Sequence, residues 1–170
     1  GGATTAGKNV VSTLKEALGI FSDGALRAVT SESTVSIRDL IERKTVLYIE
    51  MLDEGDPYGV VYTCFLNQWW QVAQRACKGN GGRMPHETAL VLDEIGNLAP
   101  LPSLPTLMAE GGGTGITTLP VLQSLAQARE KWGENNANAL WDASIVKVIL
   151  GGASNSRDLQ DLSALIEIGR

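Results

Sequence analysis

Residues 89–94 read Ala-Leu-Val-Leu-Asp-Glu, an apolar run that ends in two adjacent carboxylates. Four apolar residues in a row are typical of a buried strand, and we predict a strand over residues 88–93. In open α/β sheets the ligand crevice lies outside the carboxyl ends of the strands. The sequence therefore places Asp93 and Glu94 at the rim of a predicted ligand site.

Strand and helix patterns alternate on both sides of this segment. Further strands are predicted at residues 45–52, 115–123 and 145–150. Helices are predicted after Pro57 and at residues 104–110, 124–132, 135–144 and 155–168. Because such alternation implies βαβ crossovers, the expected fold is α/β, with a mainly parallel sheet flanked by helices.

The amino-terminal part has a different pattern. A linker rich in small residues is followed by helical patterns at residues 10–21, from residue 22, and at residues 36–43. We therefore divide the chain into a helical segment and linker at residues 1–44 and an α/β part at residues 45–170.

The acidic doublet fits the Walker B pattern of nucleotide-hydrolysing enzymes. The first carboxylate after such a strand can hold Mg²⁺, usually through water, and the second is placed to activate an attacking water. Gln123 ends the next predicted strand, where its amide could hydrogen-bond a γ-phosphate or the attacking water. A helix-capping or surface glutamine is the alternative interpretation of Gln123.

The phosphate-binding partner of a Walker B strand is not recognisable in this chain. A P-loop requires GxxxxGK[ST] directly after a buried strand. Residues 2–9 have the glycine–lysine spacing, but Asn9 replaces the hydroxyl residue and no strand precedes it. We interpret this match as fortuitous and expect the P-loop upstream, in a longer protein.

The composition argues against a chain that tracks DNA by itself. Its formal net charge is −5, whereas DNA-tracking domains usually carry a basic surface. Trp69 and Trp70 could stack on bases, but they lie on a helix with an apolar stripe, which favours core packing. Contacts with nucleic acid are therefore expected to be local or to come from other parts of the protein.

Two further features concern the compartment. No apolar run approaches the roughly 20 residues of a membrane span, and no signal peptide opens the chain, so we expect a soluble fragment. Cys64 and Cys77 fit no metal-binding pattern and are expected to be buried, reduced thiols.

Several motifs follow one another in a fixed order. They are Leu-Asp-Glu-Ile-Gly-Asn-Leu at 92–98, Leu-Pro at 101–102, Gly-Ile at 115–116, Leu-Gln-Ser-Leu-Ala-Gln at 122–127, Trp-Gly at 132–133 and Lys-Val-Ile-Leu-Gly at 147–151. This ordered set resembles the TraG/TraD family of type IV coupling proteins, which belong to the RecA/FtsK-like superfamily. Residues 111–115 lack the basic residue that the family often has before its glutamine-terminated strand.

The resemblance implies a RecA-like P-loop NTPase core, of which this chain is a partial domain that carries Walker B but not Walker A. Residues 1–44 would end an all-α domain inserted between the two motifs. By the same resemblance, Asp93 would coordinate Mg²⁺ and contact ATP, Glu94 would activate water, and Gln123 would sense the γ-phosphate. Without its P-loop, the isolated fragment is expected to bind ATP and Mg²⁺ weakly and to be almost inactive.

The resemblance also implies a biological setting. Coupling proteins are hexameric ATPase motors at the cytoplasmic face of the bacterial inner membrane. They pass DNA and relaxase–DNA substrates to a type IV secretion or conjugation channel, so the implied partners are DNA, relaxase and relaxosome proteins, channel components and further copies of the chain. Two alternatives remain open at this point: a related FtsK/HerA-like DNA translocase, and a non-catalytic domain that docks relaxosome or secretion partners.

Overall fold

A computed structural model describes residue 19 and residues 24–51 and 58–150 of the chain. In chain order the elements are α1 (Gly24–Ser31), α2 (Ile37–Glu42), α3 (Gly59–Gly79), β1 (Thr88–Leu92), α4 (Ile95–Leu98), α5 (Leu104–Thr114), β2 (Ile116–Pro120), α6 (Leu125–Trp132) and α7 (Glu134–Ala143). This mixture of helices with strands confirms the α/β prediction. The helices predicted at residues 10–21 and 155–168 lie outside the described residues, and the domain boundary at residue 45 stays a prediction.

The two strands pair in parallel, with Thr88 opposite Ile116 and Leu92 opposite Pro120. Parallel neighbours require a crossover connection, which α5 provides here. The pairing continues past the strands, because the backbone N–H of Val121 donates to the carbonyl of Leu92 over 2.9 Å. The chain segments that leave β1 and β2 therefore run side by side.

Two of the predicted strands are not strands in the structure. Residues 45–51 and 145–150 are free of ladder hydrogen bonds, although both consist of strand-forming residues. In residues 45–51 the side chains still alternate, because Val46 and Tyr48 are 78% and 84% exposed whereas Leu47 and Ile49 are 45% and 39% exposed. Local sequence favours extended backbone, but a strand also needs a neighbouring edge to pair with, which neither segment finds among the described residues.

β1 is also less buried than its sequence predicts. The side chain of Leu92 is buried, but Val91 is 68% exposed and pairs with Leu119, which is 54% exposed. Only one face of the two-stranded sheet is covered by the described helices. The prediction of a buried strand at residues 89–92 therefore holds for Leu92 and is wrong for Val91.

The core lies on the covered face, between the sheet and helices α3, α5, α6 and α7. Trp69 and Trp70 are both buried in it, at 7% and 5% exposure, which confirms the prediction that they pack rather than stack on bases. The thiol prediction is half right, since Cys77 is buried but Cys64 is exposed; both are free. The largest fully buried side chains are Leu101, Leu104, Leu107 and Ile116.

The glycine-rich segment at 111–115 is mainly helical. Residues 111–114 form the last turn of α5, which we predicted to end at residue 110. Gly115 ends the helix with φ of 85°, and its N–H donates to the carbonyls of Gly111 and Gly112. Because this left-handed conformation strains other residues, Gly115 allows the chain to enter β2 directly from the helix.

Among the described residues, no helix combines the length and the hydrophobicity that a bilayer span requires.

One buried hydrogen bond joins α6 to the loop before α5. The indole Nε1 of Trp132 donates to the carbonyl of Leu101 over 2.8 Å, and both residues are buried. A buried carbonyl that loses its donor carries a desolvation cost.

We expect Trp132→Phe to lower the free energy of unfolding by about 1–3 kcal/mol. Urea unfolding followed by circular dichroism measures this change. Trp141→Phe is the matched control, because Trp141 is only half-buried. Equal losses in the two variants would show that the bond to Leu101 adds no stability.

Candidate functional site

The three residues predicted to form the site lie at the carboxyl ends of the paired strands. Asp93 and Glu94 follow β1 immediately, and Gln123 comes three residues after the end of β2. The side chains of the latter two are in contact, with Gln123 Nε2 donating to Glu94 Oε1 over 3.3 Å. The structure thus brings residues 29 apart in sequence into one cluster, and their chemical roles stay predictions.

Glu94 has an unusual backbone conformation. Its φ of 45° and ψ of 33° are left-handed, and it is the only non-glycine residue with positive φ among those described. Its carbonyl accepts hydrogen bonds from the N–H groups of Asn97 and Leu98, over 2.9 and 3.1 Å. The chain therefore turns from β1 into α4 at Glu94 itself, and the strain lies at the residue that contacts Gln123. Non-glycine residues in this conformation cluster at functional sites.

Gln123 does not cap the helix that follows it. The cap of α6 is Ser124, whose hydroxyl accepts from the N–H of Gln127 over 3.0 Å. The capping alternative for Gln123 is therefore wrong. Its side chain is exposed on the protein surface, where it is held by Glu94.

A second polar layer lies beneath this contact. Gln127 is buried at 9% exposure, and its Oε1 accepts from the backbone N–H of Gln123 over 3.1 Å. Its Nε2 donates to Asn97 Oδ1 over 2.7 Å. These residues were part of the motifs that carry the family resemblance, but the sequence alone assigned them no role, because their contact requires α4 and α6 to be placed side by side.

Gly96 provides the space that this layer needs. A Cβ added at Gly96 would lie 2.8 Å from both Cδ and Oε1 of Gln127, which is closer than real Cβ contacts allow. The glycine after the acidic doublet is therefore required by the approach of the Gln127 side chain.

Residues 87–167 match a family model described as the TraM recognition site of TraD and TraG. The match supports the TraG/TraD family. It covers just under half of the chain, begins one residue before β1, and includes the whole polar cluster. No curated protein and no solved structure matches the chain.

Asp93 lies in the matched segment and could supply one ligand of a metal site. Its side chain is exposed just beyond β1. The described residues hold no group of three or more His, Cys, Asp or Glu side chains that could enclose an ion. Mg²⁺ is commonly held by one or two carboxylates together with water and substrate phosphates. The donor set therefore fits a shared phosphate–metal site and does not fit an all-protein metal cage.

The strain at Glu94 leads to a stability prediction. Since left-handed backbone costs a non-glycine residue about 1–2 kcal/mol, we expect Glu94→Gly to be more stable than Glu94→Ala by roughly 1 kcal/mol. Chemical unfolding of the two variants measures the difference.

The matched control is the same pair of substitutions at Glu110, an exposed position in α5. There the order should reverse, with Ala more stable than Gly by about 0.5–1 kcal/mol. If Ala is the more stable residue at position 94 as well, that position does not need positive φ.

Proposed function

We propose that this chain is the acidic half of the ATPase site of a TraG/TraD-type coupling protein. The observation that carries the proposal is the contact between Glu94 Oε1 and Gln123 Nε2 over 3.3 Å, at the adjoining carboxyl ends of two parallel strands. This is where open α/β sheets bind their ligands. A carboxylate on a strained turn, paired with a neutral amide, suits the positioning of a water molecule at that edge.

Each residue of the cluster has a role in this proposal. Asp93 holds Mg²⁺, directly or through water, and the bound ion supplies neutralisation of phosphate charge. Glu94 orients the attacking water and accepts its proton. Gln123 donates from its amide to the γ-phosphate or to the same water, and so responds to which nucleotide is bound. The P-loop that binds the phosphates comes from another part of the parent protein, within a RecA-like core.

The family match supports one setting for the proposal. It favours a coupling protein of a conjugation or type IV secretion system over an FtsK/HerA-like chromosome translocase. In this setting the parent protein assembles as a hexamer at the cytoplasmic face of the bacterial inner membrane and passes DNA and relaxase to the channel. The net charge of −5 agrees with DNA contacts that lie mostly outside this chain.

Glu94→Gln in the full-length protein is the test of the ATPase. The substitution keeps the shape of the side chain but removes the base, so kcat for ATP hydrolysis should fall at least about 100-fold, while ATP still binds. Steady-state phosphate release and binding of a fluorescent ATP analogue measure the two quantities.

The control for this test is Glu110→Gln, which changes an exposed carboxylate on α5 and should leave kcat unchanged. Wild-type turnover in the Glu94→Gln variant would rule out the proposed base. Turnover by the 170-residue chain alone that Lys8→Ala abolishes would show that residues 2–9 form a working P-loop after all.

A second candidate is favoured by the description of the matching family, a TraM recognition site. In this proposal, residues 87–167 bind a relaxosome protein of the TraM type, with or without catalysis. Titration of purified TraM from the same transfer system into the wild-type chain and into Glu94→Gln tests docking independently of hydrolysis.

If residues 87–167 dock TraM, the heat of binding should be equal for the wild-type chain and for Glu94→Gln, because Glu94 serves hydrolysis and not recognition. Absence of binding to either chain would remove the docking candidate and leave the ATPase proposal untouched. Binding that Glu94→Gln abolishes would instead place the partner on the surface around Glu94.

A further inference from the structure

A buried carboxamide, that of Gln127, bridges the two chain segments that carry Glu94 and Gln123. The side chain of Gln127 lies on the first turn of α6 and reaches the segment after β2 with its oxygen and α4 with its nitrogen. We propose that Gln127 is a positioning residue, which fixes the separation between the Glu94 carboxylate and the Gln123 amide. The proposal rests on the ATPase function proposed above and adds a residue to it.

The hydrogen bonds of this carboxamide leave it little freedom. Its oxygen accepts from the backbone N–H of Gln123 over 3.1 Å, and its nitrogen donates to Asn97 Oδ1 over 2.7 Å. At 9% exposure neither bond can be replaced readily by bulk water. Since a buried amide without partners is costly, both bonds hold the side chain in one place.

The packing against α4 adds a steric limit. The surface of Gly96 lies so close that a Cβ there would approach Gln127 Cδ to 2.8 Å. Gly96 and Asn97 are the second and third residues after Glu94, and α4 starts directly at the end of that turn. Any shift of the Gln127 amide is therefore passed to the turn that presents the Glu94 carboxylate.

The Gln127 side-chain amide also holds Gln123, the second partner of the contact between Glu94 and Gln123. Its bond to the N–H of Gln123 holds the backbone of the residue whose side chain reaches Glu94. A displacement of about 1 Å at a reacting centre can lower a rate by about 100-fold. We therefore expect Gln127 to affect turnover, although it does not touch the nucleotide in the proposed site.

The test compares Gln127→Met with wild type in the full-length protein. Methionine preserves length and packing but supplies neither hydrogen bond. A positioning role predicts that kcat for ATP hydrolysis falls roughly 10- to 100-fold, while KM for ATP stays within about twofold. Gln71→Met on the exposed face of α3 is the matched control and should leave both constants unchanged.

A double-mutant cycle separates positioning from general loss of structure. Once Gln123→Ala has removed the amide that Gln127 positions, adding Gln127→Met should lower kcat much less than it does in wild type. Full additivity would mean that Gln127 does not act through Gln123, and would overturn the inference. So would a wild-type kcat in the folded Gln127→Met variant.

Gly96→Ala provides a second perturbation if Gln127→Met does not fold. The added methyl group displaces the carboxamide without changing its atoms, and should give the same fall in kcat at unchanged KM. A folded Gly96→Ala variant with wild-type kcat overturns the inference. In either case, loss of activity in Glu94→Gln shows that the proposed ATPase function still stands; a wild-type protein without ATPase activity would overturn both.

Discussion

The parallel pairing of β1 with β2 is the constraint on which the rest of the structure depends. It aligns the two chain segments from Thr88 and Ile116 through to the bond between Val121 N–H and the Leu92 carbonyl. Because side chains alternate along a strand, a slip of one residue would reverse their faces. The same slip would separate the Glu94 turn from Gln123, so the register of a five-residue ladder sets the geometry of the proposed site.

The polar cluster lies just beyond the carboxyl ends of the two strands and extends from the surface into the buried layer below. Glu94 turns the chain with strained backbone, Gln123 meets its carboxylate, and Gln127 supports both from the buried side through α4 and α6. The strain needs surrounding structure to sustain it, and the hydrogen bonds of Glu94 and Gln127 provide such support. The family match covers this whole arrangement, so the same segment is the centre of both the hydrolytic and the docking proposals.

Local signals were sufficient for the elements that carry the site. The apolar run before Asp93 predicted β1 to within one residue, and the serine after Gln123 marked the start of α6. Contacts between distant segments were beyond the reach of one sequence. Residues 45–52 and 145–150 have the residue types of strands, yet the described parts are unpaired, because pairing depends on a neighbouring edge and not on propensity alone.

The same limit explains the residues that sequence reasoning missed. In the sequence, Gln127 is indistinguishable from any other helix residue, and its role is visible only from its contact with α4. Gly96 likewise looks like an ordinary turn glycine, whereas in the structure the Gln127 carboxamide lies where a Cβ would be. The predicted helix stopped at residue 110, before the glycines at 111–113, and glycine does weaken helices. Packing of α5 against the sheet outweighs that preference, and the helix continues to Thr114.

The open face of the sheet has a practical consequence. Val91 and Leu119 are register partners and both are exposed, and the apolar side chains between Ile145 and Leu150 are 53–99% exposed. Uncovered β-forming segments are templates for intermolecular pairing. These exposed segments among the described residues should therefore promote self-association of the purified chain at high concentration.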